Sequence, residues 1–133
     1  MTQENKKLLL KDLSARLPYG VKMHCGEDII MTLRQIDENC FCECWENEDF
    51  KCHSRWMLPY LRPMASMTAE EKEELNEVTV INCNEFEGCS TLFDEEGFDW
   101  LNAHHFDYRG LIEKGLALEA PEGMYKKNKH EIY

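Results

Sequence analysis

The hydrophobic periodicity of this chain changes at Pro18, and this change restricts the fold more than any other sequence feature. Upstream of it, one apolar face repeats every fourth residue, through Leu9, Leu13 and Leu17. Residues 4–17 therefore predict an amphipathic helix. Because proline disfavours the helical conformation of the residue before it, we expect the helix to end near Arg16, with a turn at 18–20.

Downstream of that turn, apolar and polar residues alternate with a period of two, which is typical of strands. Three such segments cover 21–25, 29–36 and 40–45, and a fourth short strand is expected from Phe50 to His53. Short strands about ten residues apart, joined by polar turns, favour an antiparallel meander. Curled on itself, the meander would form a small SH3-like half barrel, with the N-terminal helix over one face or an open edge.

The second half of the chain predicts helices. Residues 56–63 are apolar but interrupted by two prolines, so we expect a connector packed on the core. Thr68 and Glu71 fit a capping box that opens an acidic helix. Asp94 can cap a third helix, and residues 116–120 alternate like a short strand.

These elements predict an α+β fold in a single domain, residues 1–133. Residues 1–66 would hold the helix and the four-stranded meander, and residues 67–125 would form a half dominated by acidic helices. Residues 126–133 would be a frayed tail.

Charge is unevenly distributed along the chain. The net charge is −11, and residues 67–133, with 6 basic and 16 acidic side chains, carry −10 of it. Such a surface repels nucleic-acid phosphates and anionic lipids, so we expect neither direct nucleic-acid binding nor membrane binding. The acids can form a solvated helix face. Alternatively they dock a basic partner, for which the expected contacts are Glu70, Glu73, Glu74 and Glu77.

The cysteine pattern allows three interpretations: buried hydrophobic residues, a zinc site, or redox-sensing thiols, the last opposed by the neighbouring acids. Seven cysteines, an odd number, argue against a closed disulfide framework. Without a membrane-length apolar run or a signal-peptide pattern, we expect a cytoplasmic location and reduced thiols. A zinc-stabilised module would use Cys40, Cys42, Cys44, Cys52 and His53. Alternate residues of a strand lie about 6.6 Å apart, too far for shared ligation, so we expect inward-facing hydrophobic cysteines and no cofactor.

Phe41 and Trp45 alternate with these cysteines on the same predicted strand. If the cysteines face inward, the two aromatic rings share the outer face of the sheet. An exposed aromatic pair often marks a contact with a partner protein, and we therefore predict partner binding at Phe41 and Trp45. The alternative is that both rings pack the core, as most aromatic residues do.

Three stretches of the sequence resemble a known family. They are LLLKDLSARLPYGV at 8–21, PYLRPMASMT at 59–68, and, within 98–125, the segments FDWL, HFDYRGLI and LALEAPEGMY. Together they resemble a family of small uncharacterised proteins common in the genomes of gut Bacteroidetes and in their prophage-like regions. The resemblance covers about half of the chain and implies a bacterial cytosolic setting and a phage or mobile-element origin. It implies no chemistry, and this chain departs from the family in its cysteine-rich segment 40–52.

No enzyme motif is present: the chain lacks a glycine-rich phosphate loop, a nucleophile elbow and a His-Glu-x-x-His sequence. His104 and His105 could form an acid–base cluster with nearby aspartates, but neighbouring residues of a helix point about 100° apart. We therefore predict a non-enzymatic cytosolic accessory or protein-binding module with an unknown protein partner. The alternatives are an acidic nucleic-acid mimic that inhibits a basic protein, a zinc-stabilised module, and an unrecognised enzyme.

Overall fold

Helices and one mixed β-sheet make up the chain in the computed structural model, which describes residues 2–27, 29–80 and 95–125. The tail expected at 126–133 and the cap expected at Asp94 lie outside the described residues. None of the helices in the described ranges combines the length and the apolar composition that a bilayer crossing requires.

The N-terminal helix, α1, spans Gln3–Arg16 and confirms the predicted end at Arg16. It begins where the backbone N–H of Asn5 donates to Oγ1 of Thr2 at 3.1 Å. It ends at a 3₁₀ turn over Leu17–Tyr19 that contains the proline. Gly20 then reverses the chain with φ of 69°, a conformation that costs glycine little.

The described residues then form one sheet of six strands, in the order β4-β3-β2-β1-β5-β6. The strands are β1 Lys22–Gly26, β2 Ile29–Ile36, β3 Phe41–Trp45, β4 Lys51–Arg55, β5 Leu58–Leu61 and β6 Leu118–Glu119. Strands β1 to β4 form an antiparallel meander, and β6 pairs parallel with β5. The prediction of an α+β fold with an N-terminal helix and a curled half-barrel sheet is confirmed, whereas the predicted number of four strands is wrong.

The strand missed in the first half of the chain is β5, which lies where a connector was expected. Its proline concealed it, because proline supplies no N–H to a ladder and is rarely found inside a central strand. In the structure, Pro59 lies opposite Met23, whose backbone groups bond to β2 on its other side, so the proline nitrogen points away from β1. On that side β6 pairs only with Tyr60 and Leu61, so no pairing residue needs an N–H from Pro59. The sheet also joins the two predicted halves of the chain, because β6 comes from the second.

A bulge in β2 changes which side chains face inward. Leu33 pairs with Cys44 and Gln35 pairs with Glu43, so Arg34 is the extra residue between them. The alternation therefore shifts by one after Leu33, and Ile36 packs against the core. Strict alternation would instead place Ile36 on the opposite face from Leu33.

Two acidic helices cover the second half: α2, Ala69–Val80, and α3, Glu95–Ala103. The predicted capping box of α2 is confirmed. The N–H of Glu71 donates to Oγ1 of Thr68 at 3.1 Å, and the N–H of Thr68 donates to the Glu71 carboxylate at 3.0 Å.

The described residues form two apolar clusters. The larger lies between α1 and the concave face of the sheet, and the chain after α3 closes it; its members include Leu9, Leu13, Val21, Leu33, Cys42, Cys44, Leu61, Leu111 and Leu116. The smaller joins α2, α3 and the turn that follows α3, through Met67, Leu75, Leu101 and Phe106. Within the described ranges, no helix from the larger cluster packs on the convex face of the meander.

Candidate functional site

Alternation along β3 sorts its side chains between the two faces of the sheet. Cys42 and Cys44 are fully buried on the concave side. The other three residues point to the convex side, where each lies directly opposite a residue of β4. We call this surface the outer β3–β4 face; it consists of Phe41, Glu43 and Trp45 on β3, Lys51, His53 and Arg55 on β4, and Arg34 from the bulge of β2.

Trp45 lies between two cations at the centre of this face. The Lys51 Nζ is 4.0 Å from the ring centroid, and the guanidinium carbon of Arg34 is 5.0 Å from it. Both distances lie within the range of cation–π attraction. Arg34 reaches the ring because the bulge in β2 brings an additional residue to this position. The two cations cover part of the ring, so Trp45 is half-buried.

Phe41 contributes a second aromatic ring to the same face. Its ring stacks on that of His53, with centroids 6.3 Å apart and 23° between the planes. Nε2 of His53 is 2.7 Å from Oε1 of Glu43. This hydrogen bond, followed by the nearby indole N–H of Trp45, holds the pKa of Glu43 below its ordinary value. Phe41 remains 41% exposed, which is a large fraction for an aromatic side chain in the middle of a sheet.

Strand β4 is an edge of the sheet among the described residues. The Glu46 N–H donates to the Phe50 carbonyl, and the Trp56 N–H donates to the Cys40 carbonyl. In this register the backbone groups of the even-numbered residues of β4 bond to β3, so those of residues 51, 53 and 55 point outward. The same three residues carry basic or titratable side chains on the outer β3–β4 face. An open backbone edge therefore lies beside a face of cations and aromatic rings.

The four glutamates expected to bind a partner lie elsewhere, on α2. Glu70, Glu73, Glu74 and Glu77 are all exposed. Only Glu74 has a described ion-pair partner, Nε2 of His104 at 3.9 Å. Glu71 has a different role, since both of its carboxylate oxygens accept from Arg62 at 2.7 Å. Although burial alone would raise it, these bonds and those of the capping box lower the pKa of Glu71 to about 2.

The five residues of the alternative zinc site are not brought together. Cys40, Cys42 and Cys44 are buried, and Cys52 lies half-buried opposite Cys44. His53 points to the convex face, where it bonds Glu43 instead of approaching the thiols. Among the described residues, no group of three or more histidine, cysteine, aspartate or glutamate side chains is arranged to hold a metal ion.

The histidine pair is also separated. Nδ1 of His104 donates to the Trp100 carbonyl at 2.9 Å, and its ring stacks on the indole at 3.9 Å. His105, at φ of 60°, turns inward and stacks on Tyr125. Burial, reinforced by the charges of Arg16, His104 and Arg62, lowers the pKa of His105 to about 3. Asp107 caps the next turn by accepting from the N–H groups of residues 111 and 112.

Sequence patterns did not reveal the cations around Trp45. Lys51 belongs to the predicted fourth strand, but its place opposite Trp45 depends on hairpin register, and Arg34 depends on a bulge. The alternating pattern of β3 was the one signal available, and it did predict that Phe41 and Trp45 share a face once the cysteines face inward.

Comparisons with protein-family models, with curated proteins and with solved structures found no match to this chain. The resemblance to the Bacteroidetes family therefore stays a prediction.

Proposed function

We propose that this chain is a non-enzymatic protein-binding module that captures an extended, acidic segment of a partner protein along β4. The observation that carries the proposal is the open edge of β4 beside a face on which cations flank Trp45. An added strand would form main-chain hydrogen bonds with residues 51, 53 and 55. Its alternate side chains would lie over the outer β3–β4 face.

The charges along β4 favour one class of binding partner at this edge. Lys51 and Arg55 are exposed, and a neighbouring strand would place its side chains directly beside them. A second copy of β4 in antiparallel pairing would set lysine against arginine, and like charges opposite each other are destabilising. A segment with aspartate or glutamate at alternate positions forms opposite-charge pairs instead. The charge pattern thus disfavours self-association and favours an acidic partner.

The aromatic rings give the same face apolar contact area. Phe41 stacks on His53 and remains open to solvent, and Trp45 presents the part of its ring that the cations leave free. Aromatic side chains and arginine are the residues most enriched at binding hot spots. A ligand with apolar residues between its acids would bury both rings while pairing with both cations.

Selection from a library of displayed random octapeptides tests the proposal. We expect the full chain to enrich peptides in which acidic and apolar residues alternate. Replacing Lys51 and Arg55 with glutamate should weaken the selected peptide about tenfold or more, because two attractive pairs become repulsive. A peptide with the same side chains but N-methylated at alternate amides should also bind weakly, since it cannot pair with the edge.

Lys72→Glu with Lys114→Glu is the matched control, because both residues are exposed, lie far along the chain from β4 and, when reversed, change the net charge by the same amount in the same direction. We expect this pair to leave peptide affinity unreduced. Failure to enrich acidic peptides, or equal binding of the N-methylated and unmodified peptides, would overturn the proposal.

A further inference from the structure

Four sulfur atoms meet on the concave side of the sheet, away from the proposed binding face. They belong to Cys25 at the end of β1, Cys44 on β3, Cys52 on β4 and Met57 between β4 and β5, which we call the sulfur cluster. Sγ of Cys44 is 3.5 Å from Sδ of Met57, and Sγ of Cys25 is 3.8 Å from the same atom. Cys52 lies directly opposite Cys44, with its Sγ 4.0 Å from the Cys25 carbonyl oxygen.

This arrangement could not be read from cysteine spacing. The bulge between β1 and β2 places Cys25 at the end of its strand, and the curl of the sheet carries it toward β3. Met57 comes from the short connection between two strands. The sulfur atoms therefore converge from four separate segments of the chain, whereas the Cys40-x-Cys42-x-Cys44 repeat contributes only one of them.

The distances between these atoms suit ligation of a single ion. Metal–thiolate bonds of about 2.3 Å place two sulfur ligands about 3.8 Å apart in tetrahedral geometry and about 4.0 Å apart in trigonal geometry. The two distances to Met57, 3.5 and 3.8 Å, lie within about 0.5 Å of these values. A set of thiols and a thioether with no oxygen or imidazole is soft, and soft ligands select Cu(I).

Solvent access also suits an ion site. Cys44 and Met57 are buried, but Cys25 and Cys52 are half-buried, so the cluster is not sealed from solvent. Cys42, two residues from Cys44 on β3, differs because its thiol donates to the Cys40 carbonyl oxygen.

We propose that Cys25, Cys44 and Met57 bind one Cu(I) ion. Binding replaces the two thiol protons of Cys25 and Cys44 with two Cu–S bonds, and both protons leave to solvent. The Met57 thioether contributes a lone pair and loses no proton. The copper stays Cu(I) throughout, so the step needs no oxidant or reductant.

Anaerobic titration with Cu(I) against a chromophoric Cu(I) chelator tests the site in the full chain. We expect one tightly held equivalent. Cys25→Ser and Cys44→Ser should each lower the affinity by more than about 100-fold, beyond what loss of an outer-shell group costs. Met57→Leu, which preserves apolar volume, should weaken binding by a smaller factor. Cys42→Ser is the matched control and should retain the full equivalent.

Thermal melts of each metal-free variant separate a loss of ligand from a loss of fold. Cys25→Ser should disturb the fold least, because Cys25 is only half-buried. Equal Cu(I) affinity in wild type, Cys25→Ser and Met57→Leu would overturn the site. Retention of stoichiometric Zn(II) in preference to Cu(I) would overturn the assignment to a soft monovalent ion. Neither result bears on peptide binding at β4, so the two proposals fail independently.

Discussion

Asp12 and Arg109 are separated by 97 residues in sequence, and the Arg109 Nη1 lies 2.7 Å from Oδ1 of Asp12. The second oxygen of Asp12 accepts from Nε of Arg16 at 2.9 Å, and neither Asp12 nor Arg16 is accessible to solvent. Arg16 also donates to the carbonyl oxygen of Phe106. One carboxylate thus joins α1 to the chain after α3.

Asp12→Ala should destabilise the fold by about 3–5 kcal/mol, because it leaves the buried Arg16 without its counter-ion. Chemical denaturation at neutral pH measures the change. Lys11→Ala, at the exposed neighbouring position, is the control and should shift the free energy of unfolding by less than about 0.5 kcal/mol. Equal effects of the two substitutions would show that the ion pair contributes nothing specific.

Leu13→Ala tests the packing of α1. Leu13 is fully buried in the larger core, so its truncation should cost about 2–5 kcal/mol in unfolding free energy. A thermal or urea melt gives the value, and Ser14→Ala on the exposed side of the helix provides the comparison. An unchanged melt for Leu13→Ala would mean that the helix is not part of the core.

His105 should make stability depend on pH. Its pKa is lowered from 6.5 to about 3 in the folded protein, so the unfolded chain binds the additional proton between these values. The contribution is fully present above pH 6.5 and is lost as the pH falls toward 3. Between pH 6.5 and 5 we expect a loss of about 1–2 kcal/mol from this residue.

The measurement is urea unfolding at several pH values for wild type and His105→Asn. Asparagine tolerates the positive φ of this position and does not titrate, so its curve should be flatter between pH 5 and 6.5. The comparison uses the slopes, since the absolute stability of the variant also reflects lost stacking on Tyr125. Parallel slopes would show that His105 titrates normally in the folded state.

Replacing Glu73, Glu74 and Glu77 with lysine tests whether a partner binds at the outer β3–β4 face or at the acidic helix α2. All three are exposed, so the free energy of unfolding should change by about 0.5 kcal/mol or less. Binding of the selected acidic peptide at β4 should not weaken, because a less negative chain repels it less.

The rival function, an acidic mimic that inhibits a basic protein, predicts a different result for the same variant. Association with a basic partner would slow at low salt and would lose its salt dependence. The control variant replaces three exposed glutamates on another surface with lysine and so changes the net charge equally; they are Glu113, Glu119 and Glu122. If only the α2 reversal slowed association with a basic partner, the helix and not β4 would be the docking surface.

Local signals predicted the elements that depend on local interactions. The end of α1 at Arg16 follows from Pro18, and the start of α2 follows from the reciprocal bonds of Thr68 and Glu71. Strand β5 was missed because its proline is acceptable only where the neighbouring strand needs no N–H from it, and pairing is not visible in the sequence. The inward position of Ile36 was hidden for a similar reason, since a bulge shifts the alternation.

The candidate site, too, could be predicted only where it depends on local sequence patterns. Period-two alternation was enough to place Phe41 and Trp45 together, but the cations on Trp45 arise from register and from the bulge. The contacts that join distant segments, such as Asp12 with Arg109 and Cys25 with Met57, have no sequence signature at all. They exist only once the sheet has curled and the C-terminal segment has docked.

The order of the strands has a consequence for synthesis on the ribosome. Five of the six described strands are complete once Leu61 has been made, but the larger core also requires Leu111 and Leu116. A nascent chain that stops between these points holds a nearly finished sheet whose concave, sulfur-rich face is incompletely covered. We expect such arrested chains to recruit chaperones that recognise apolar surface, and to release them when residues 106–118 emerge.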